Sequence, residues 1–306
     1  MIAKGIAMGD GISKDRAGFA VTVMIGTDLT LSIADAIIKA TLASMPLSQF
    51  IFLRSCISIP LLILILRWRY PSVPFKPLRP GWASLRSFLL LISLLLYYAA
   101  LPRLEMSLAA AAYYTIPLFI TLFSVALTRE PAGRLGWAAV VLGFLGVLTM
   151  LRPDPSDLNI HALMPIGAAI LYALAMVVTR TKARSENPFL LALIFNLIAL
   201  VLGGGGSMVA LLSGSEEIGI FMGPWLDMQA WHWGLILLLS ATMLIGSVGT
   251  AIAYQSGPSN MIATVDFSYL VFAVILGVLV FSERLGVPQV VGISLIACAG
   301  IIVTRR

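Results

Sequence analysis

The chain has 306 residues, of which 59% are apolar and 11% are charged, whereas about 25% are charged in a typical soluble domain. This composition excludes an ordinary soluble enzyme and indicates an integral membrane protein. The formal net charge of +6 does not predict nucleic-acid binding, because the basic residues lie in the short breaks between apolar runs and not on one basic face.

The first apolar run, residues 18–40, is long enough to cross a bilayer, since roughly 20 helical residues span about 30 Å of hydrocarbon. Within this run, Asp28, Ser32, Asp35 and Lys39 recur at helical spacing and fall on one face. A carboxylate that faces lipid costs several kcal/mol. The polar face is therefore expected to line a bundle interior or a water-filled cavity.

Ten apolar runs of spanning length follow one another along the chain. They are approximately 18–40, 46–66, 82–101, 106–128, 134–151, 160–180, 188–212, 232–255, 259–282 and 286–304. Residues 1–17, ahead of run one, have no apolar segment of their own and are predicted to form a cytoplasmic tail without a cleavable signal. The sequence predicts an all-α integral membrane protein with ten transmembrane helices.

The distribution of basic residues predicts the orientation of these helices. With a cytoplasmic N-terminus, the inside segments hold 15 Lys and Arg residues, among them Arg86 at the start of run three. The outside segments hold only three, which are Arg103, Arg152 and Arg284. Both termini are therefore predicted to be cytoplasmic.

An internal repeat divides the chain into two halves. The end of run four, LFITLFSVALTREPAGRLG, and the end of run nine, LVFAVILGVLVFSERLG, align without gaps when Glu130 is placed on Glu283, an offset of 153 residues. The chain is therefore interpreted as five helices twice over, in residues 18–152 and 160–304. Because five is odd, the two copies would have opposite orientations, and such inverted repeats favour a binding site between them near the midplane.

The motifs and their duplication resemble a known transporter family. A first run with an internal D…K, FLRS in the second, YYTIPLF in the fourth, TRE followed by GFLGVL, and FSERLG before the last run are similar to the EamA-type branch of the drug/metabolite transporter superfamily. The resemblance covers about residues 19–304. It implies a ten-helix, 5+5 inverted-repeat carrier whose central cavity is lined by helices one, three, four, six, eight and nine. Its substrates would be small metabolites, commonly exported amino acids.

Run four and run nine hold the first candidates for a binding site. In run four, Tyr113 and Tyr114 come just before Pro117, and proline inside a helix frees the carbonyl four residues earlier. With the offset of 153, the segment from Tyr113 onwards aligns with Asp266 and Ser268 of run nine. Both repeats become polar and aromatic at the same depth, which predicts one shared cavity. The other aromatic candidates are Tyr97, Tyr98, Tyr172 and Tyr269; alternatively, tyrosines form interfacial belts or pack helices together.

Charged residues inside the runs form a second group of candidates. Arg54 in run two lies about 12 Å below the outer surface, at a depth that allows pairing with Asp28 or Asp35. Asp35, Lys39 and Arg54 are interpreted either as a structural ion-pair cluster or as coupling residues. Asp28 and Asp266 have no partner that the sequence reveals. Each could exchange a proton, hold a substrate ammonium group, or act as a hydrogen-bonded structural carboxyl group.

Several other motifs lack the context that their chemistry needs. No Lys-Ser/Thr follows Gly203–Gly206, so this segment is not a phosphate loop, and it predicts close helix packing or a flexible break. His161 and His232 lack metal-ligand spacing. Cys56 and Cys298 each lie inside an apolar run and are predicted to be packed free thiols. No catalytic residue, metal ion or cofactor is predicted.

The sequence therefore predicts a secondary transporter of the bacterial inner membrane. Export of aromatic or large neutral amino acids by alternating access is the leading hypothesis, either proton-coupled or by facilitated diffusion. The alternatives are an importer of another metabolite, such as a nucleoside derivative or a carboxylate, and an intramembrane enzyme. The expected partners are a small-molecule substrate and the lipid bilayer, with the chain acting as a monomer or a homodimer.

Overall fold

The computed structural model describes residues 14–41, 45–128, 133–151, 160–213, 221–257, 262 and 265–304. These residues form α-helices with short connections, and no β-strand occurs among them. The helices are α1 (Lys14–Thr41), α2 (Leu47–Arg69), α3 (Pro80–Ala100), α4 (Met106–Tyr113), α5 (Ile116–Phe123), α6 (Gly133–Leu151), α7 (Ile160–Thr181), α8 (Pro188–Ser213), α9 (Ala230–Ser256), α10 (Phe267–Phe281) and α11 (Val287–Thr304).

Six helical segments of the described chain are long and apolar enough to cross a membrane. They are Gly18–Ala40, Leu47–Arg69, Pro80–Arg103, Leu163–Thr181, Pro188–Ser213 and Ala230–Ser256. Large apolar side chains such as Leu64, Val201 and Leu279 are exposed on the outside of the bundle, where a bilayer would cover them. Three of the four further spans that the sequence predicts contain shorter apolar helices within the described residues, and the count of ten remains a prediction.

The fourth apolar run is not one kinked helix, as the sequence suggested, but two helices. α4 ends at Tyr113, Tyr114 and Thr115 form a turn, and α5 begins at Ile116 with Pro117 in its first turn. Proline has no N–H to donate there, and its fixed φ suits a helix start. Pro117 therefore opens a new helix and does not bend a continuous one.

The helices pair in a pattern in which the two halves of the chain have matching roles. α2 packs along α8 and α6 packs along α11. α3 of the first half packs along α7 of the second half. In the same way, α1 of the first half packs along α9 of the second. Likewise α1 contacts α10, and α7 contacts α4 and α5. Each of these contacts thus matches a contact that the repeat predicted from the sequence would relate to it.

The glycines of α8 bring this helix close to α2. An added Cβ at Gly203 would lie 2.8 Å from the backbone nitrogen of Phe52 and 2.9 Å from the carbonyl oxygen of Ser48. The prediction of close helix packing at Gly203–Gly206 is confirmed at this position, and the segment is continuous helix. The two cysteines, in contrast, are not packed in the interior, because Cys56 and Cys298 are both free and exposed.

Contacts between loops place several helix ends on common sides. Glu186, after α7, accepts hydrogen bonds from the backbone N–H groups of Leu78 and Arg79, before α3. At other helix ends, Gln49 of α2 exchanges two hydrogen bonds with the backbone of Leu226, before α9. These pairings agree with the alternating orientation that the sequence predicts for these helices.

Candidate functional site

A cavity of about 110 Å³ lies inside the bundle. Its wall comes from α1, α3, the α4–α5 turn, α7, α8, α9 and the start of α10. These are the segments that the family resemblance implied, with Phe195 of α8 as an addition. Both halves of the chain therefore contribute to one cavity.

Aromatic side chains form much of the cavity wall. Six tyrosines line it: Tyr97, Tyr98, Tyr113, Tyr114, Tyr172 and Tyr269. The rings of Tyr97 and Tyr113 stack with centroids 4.6 Å apart, and those of Tyr114 and Tyr269 stack at 5.0 Å. Such stacking fixes the rings against each other. The wall is thus apolar on the ring faces and polar at the hydroxyl groups.

Asp35 lies at the end of a chain of hydrogen bonds from this wall. The Tyr269 hydroxyl donates to Oδ2 of Asp35, and the hydroxyl of Tyr97 lies 2.8 Å from that of Tyr269. Because the Tyr269 proton is directed at Asp35, Tyr97 is the donor to Tyr269. Asp35 lines the cavity and is connected through two hydroxyl groups to α3.

Asp266 accepts hydrogen bonds from two tyrosines, one in the turn between α4 and α5 and one in α9. The Tyr114 hydroxyl donates to Oδ1 at 3.0 Å, and the Tyr254 hydroxyl donates to Oδ2 at 3.1 Å. Asp266 precedes α10 without capping it, so its carboxyl group is available to these partners. The residue is 3% exposed and lines the cavity. No partner for this carboxyl group could be identified from the sequence, and the structure shows two.

Asp28 lies behind Asp266, outside the cavity lining. Its Oδ2 accepts a hydrogen bond of 2.6 Å from the Ser268 hydroxyl, and its carboxyl group is close enough to interact with that of Asp266. Ser268 is likewise absent from the lining. Two carboxyl groups held together away from water repel each other when both are charged. A proton or a cationic group between them would therefore stabilise the pair.

The predicted ion-pair cluster of Asp35, Lys39 and Arg54 is wrong. Lys39 pairs instead with Glu283, with Nζ 2.9 Å from Oε1, and also donates to the carbonyl of Leu104. Glu283 reaches it because Ser282 adopts a left-handed φ of 53° and ends α10. Asp35 instead accepts its hydrogen bond from a tyrosine.

Arg54 is fully buried without a hydrogen-bond partner for its guanidinium group in the described chain. The guanidinium lies 5.8 Å from the ring centre of Phe50 and 5.7 Å from that of Phe195, distances at which an aromatic face attracts a cation. Arg54 is absent from the cavity lining, as is Pro117. Neither side chain is in a position to touch a molecule inside the cavity.

Two polar residues at the site were not among the sequence candidates. Tyr254 lies at the end of run eight and gave no signal beyond its polarity. Arg86 was counted with the loop residues, yet it is fully buried and lines the cavity. Its position inside run three, among apolar residues, is the signal that identifies it.

Glycines of α9 set the distance between that helix and α1. A Cβ at Gly246 would collide with the side chain of Leu31, and one at Gly249 with that of Thr27. Small residues allow such close approach of helices in membranes. This packing places the Thr27 and Leu31 side of α1 against α9, while Asp28 and Asp35 on its polar face accept hydrogen bonds from Ser268 and Tyr269 of α10. Among the described residues, no group of three His, Cys, Asp or Glu side chains is placed to hold a metal ion.

Comparisons with known proteins agree on the class of protein. A family model described as the EamA-like transporter family matches residues 18–152 and again 159–305. A pseudopaline exporter of Pseudomonas aeruginosa is 23% identical over 287 residues, which are 93% of this chain and 95% of that protein. A riboflavin transporter of Vibrio cholerae is 34% identical over 126 residues, which are 39% of this chain and 42% of that protein.

A solved crystal structure shares the fold. The alignment covers 96% of this chain and 98% of the chain in that structure, with a TM-score of 0.67 and a sequence identity of 18%. The family match and the named relatives indicate a transporter and not an enzyme. Together with the apolar helices, they identify a multi-pass membrane protein.

Proposed function

Because the chain belongs to the EamA-like transporter family, we propose that it is a secondary carrier that moves a small organic metabolite across the bacterial inner membrane by alternating access. The observation that carries this proposal is the cavity, whose wall combines segments of both halves of the chain. In a carrier of this kind the two halves rock about a fixed site near the midplane.

The proposed architecture is ten transmembrane helices arranged as a 5+5 inverted repeat with cytoplasmic termini. The repeats are residues 18–152 and 160–304. Two observations support this arrangement: the family model matches the chain twice, and the helix contacts are paired between the halves. The site lies within one chain, so the proposal holds for a monomer or for each subunit of a homodimer.

The leading substrate class is an exported amino acid with an aromatic or large neutral side chain. The stacked tyrosine rings offer an apolar surface for such a side chain, and cavities of this composition suit a solute with one or two polar groups. Carboxyl groups of Asp35 and Asp266 in the wall could accept hydrogen bonds from an ammonium group. The relative named as a pseudopaline exporter supports export as the direction.

Asp28 and Asp266 are the proposed coupling residues. Their carboxyl groups interact, and only Asp266 lines the cavity. The pair could share one proton. A substrate ammonium group bound at Asp266 would compete with that proton for the same negative charge. Exchange of one for the other would couple proton and substrate movement.

A second candidate function is the import of another metabolite, such as a nucleoside derivative or a carboxylate. The relative named as a riboflavin transporter supports this alternative, because the tyrosine-lined wall would also stack against a flat heteroaromatic ring. An intramembrane enzyme has no comparable support.

The test is uptake and efflux in proteoliposomes that contain the purified protein. The panel consists of radiolabelled aromatic and large neutral amino acids together with riboflavin, each with and without an imposed pH gradient. Saturable flux of an amino acid is expected, and its acceleration by the gradient would support proton coupling. Flux of riboflavin alone would favour the second candidate. Equal flux in protein-free liposomes for every solute would contradict both.

A further inference from the structure

Arg86 is a buried cation whose charge the described chain leaves largely unbalanced. The residue has no exposed surface, and its Nε donates a hydrogen bond of 3.1 Å to the hydroxyl of Thr179 on α7. Neither Nη1 nor Nη2 has a hydrogen-bond partner among the described residues. The side chain lines the cavity. Two guanidinium nitrogen atoms thus remain available at the cavity wall.

A guanidinium group in this setting requires an anion. A buried charged donor without an acceptor is more unfavourable than a buried neutral group without one. The planar guanidinium matches a carboxylate or a phosphate, each of which can accept two parallel hydrogen bonds from it. Arg54 has the same burial but lies between two aromatic rings and does not line the cavity. Arg86 is therefore the buried arginine that a solute can reach.

The position of Arg86 on α3 separates it from Asp35 along the cavity. Tyr97, which is bonded through Tyr269 to Asp35, lies eleven residues further along α3, or about 16 Å along the helix axis. Tyr172 is within electrostatic range of both Arg86 and Asp266 and lies in the same wall. Arg86 and Asp35 thus lie towards different ends of the cavity.

We propose that Arg86 is an anion subsite of the cavity, and that the transported solute carries a carboxylate or phosphate group bound by its Nη1 and Nη2 atoms. This inference rests on the proposed carrier function and narrows its substrate class. Thr179 holds Nε and so orients the guanidinium plane, while the tyrosine wall accommodates the apolar part of the solute. A solute with both an anionic and an ammonium group would match the two ends of the cavity.

The experiment compares matched anionic and neutral probes on the purified full-length protein in detergent. The carboxylate arm uses 3-phenylpropionate against 3-phenylpropionamide, and the phosphate arm uses phenyl phosphate against phenol, all at equal ionic strength. Binding is measured from the rise in unfolding temperature with probe concentration. The variants are Arg86→Gln, Arg86→Lys and, as a matched loss of charge on an exposed loop, Arg184→Gln.

In the wild type and in R184Q, the anionic member of at least one arm is expected to bind about tenfold more tightly than its neutral partner, because hydrogen bonds between charged groups are stronger than those between a charged and a neutral group. The arm that responds identifies the carboxylate or the phosphate as the preferred anion. R86Q is expected to lose the difference, and R86K to retain part of it, since Lys keeps the charge without the planar fork.

Equal binding of anionic and neutral probes by the wild type in both arms would overturn the proposal, as would an undiminished difference in R86Q. Flux in proteoliposomes distinguishes a failure of the subsite proposal from a failure of the proposed carrier function. Saturable flux that R86Q leaves unchanged would refute the subsite and leave the carrier. Anion binding that depends on Arg86, without flux of any solute, would refute the carrier and leave the subsite.

Discussion

Asp266 is a residue whose carboxyl group accepts side-chain hydrogen bonds from both halves of the chain. Its two oxygen atoms accept from Tyr114 of the first half and Tyr254 of the second. Any change of orientation between the halves would break or lengthen at least one of these bonds. A carboxyl group that is both buried and shared in this way is therefore suited to a role in the transport cycle.

We expect Asp266→Asn to reduce transport about tenfold or more while leaving the protein folded. The amide keeps the size of the side chain, but one of its two positions becomes a donor that cannot accept from a tyrosine hydroxyl, and loss of a hydrogen bond to a charged group is worth about 1.5–3 kcal/mol. Flux in proteoliposomes and elution as a single peak in size-exclusion chromatography measure the two effects. Wild-type flux from the folded variant would remove Asp266 from the mechanism.

Lys39 and Glu283 form the ion pair that the sequence did not reveal. Both side chains are largely buried, at 15% and 7% exposure, and Glu283 also accepts a hydrogen bond of 2.7 Å from the backbone N–H of Met106. The pair ties α1 to the end of α10 and the start of α4.

Lys39→Met should lower the free energy of unfolding by about 3 kcal/mol, because it leaves a buried carboxylate without its cation. The double variant Lys39→Met with Glu283→Gln should recover much of this loss, since the neutral amide can still accept from Met106. Chemical denaturation in mixed micelles measures both. Equal stabilities of the single variant and the wild type would show that the pair contributes nothing.

Depth in a helix could be read from the sequence, but the direction of a side chain around the helix axis could not. Arg54 lies at a depth that allows pairing with Asp28 or Asp35, yet it faces Phe50 and Phe195. Lys39 pairs with Glu283, which lies 244 residues further along the chain. Such pairings depend on which helices become neighbours, and the local pattern carries no information about that.

At the scale of elements, the break between α4 and α5 shows how the chain brings polar groups into an apolar interior. The turn at Tyr114 and Thr115 interrupts the helix, and Tyr114 then reaches Asp266 across the bundle. Irregular backbone at membrane depth is tolerated where it is buried in protein or lines a cavity. The sequence indicated that Pro117 interrupts the helical hydrogen bonding of run four. The alignment with offset 153 indicated that Asp266 lies in the equivalent position of run nine. Neither observation predicted that one helix ends and another begins there.

The α2–α8 interface allows a matched test of glycine packing. Gly203→Ala should destabilise the protein by about 1–3 kcal/mol, because its Cβ would overlap backbone atoms of α2 that have no rotamer to change. Gly205→Ala is the control, since nothing lies within 4 Å of the added methyl group and Ala favours a helix over Gly by up to about 1 kcal/mol. Unfolding temperatures in detergent compare the two. Similar values for both variants would contradict the close contact at Gly203.

At the scale of the whole molecule, the family resemblance implied which helices line the cavity, whereas the residues of its wall were only partly predictable. The six tyrosines and Asp266 were candidates from the sequence and line the cavity. Asp28, Ser268 and Pro117 were candidates too, but they lie behind the wall. Arg86 was counted only as a charge on the cytoplasmic side, because the sequence does not show whether a side chain near the start of run three faces the surface or the cavity.

The predicted orientation can be tested by cysteine labelling. In a background with Cys56 and Cys298 changed to Ser, we expect Ser185→Cys to react with a membrane-impermeant thiol reagent only in inside-out vesicles. Asp227→Cys should react only in right-side-out vesicles. Both positions are exposed in the described loops. Labelling of both from the same side would contradict the alternating orientation of α8 and its neighbours.

The central claim is that the chain is a carrier, and counterflow tests it most directly. Proteoliposomes are loaded with an unlabelled solute that shows saturable flux and are diluted into the same solute at a trace radiolabelled concentration. A carrier that exposes one site alternately to each side will accumulate label transiently above its equilibrium level, and Asp266→Asn is expected to abolish this overshoot. A simple rise to equilibrium without overshoot in the wild type would instead indicate a channel and contradict alternating access.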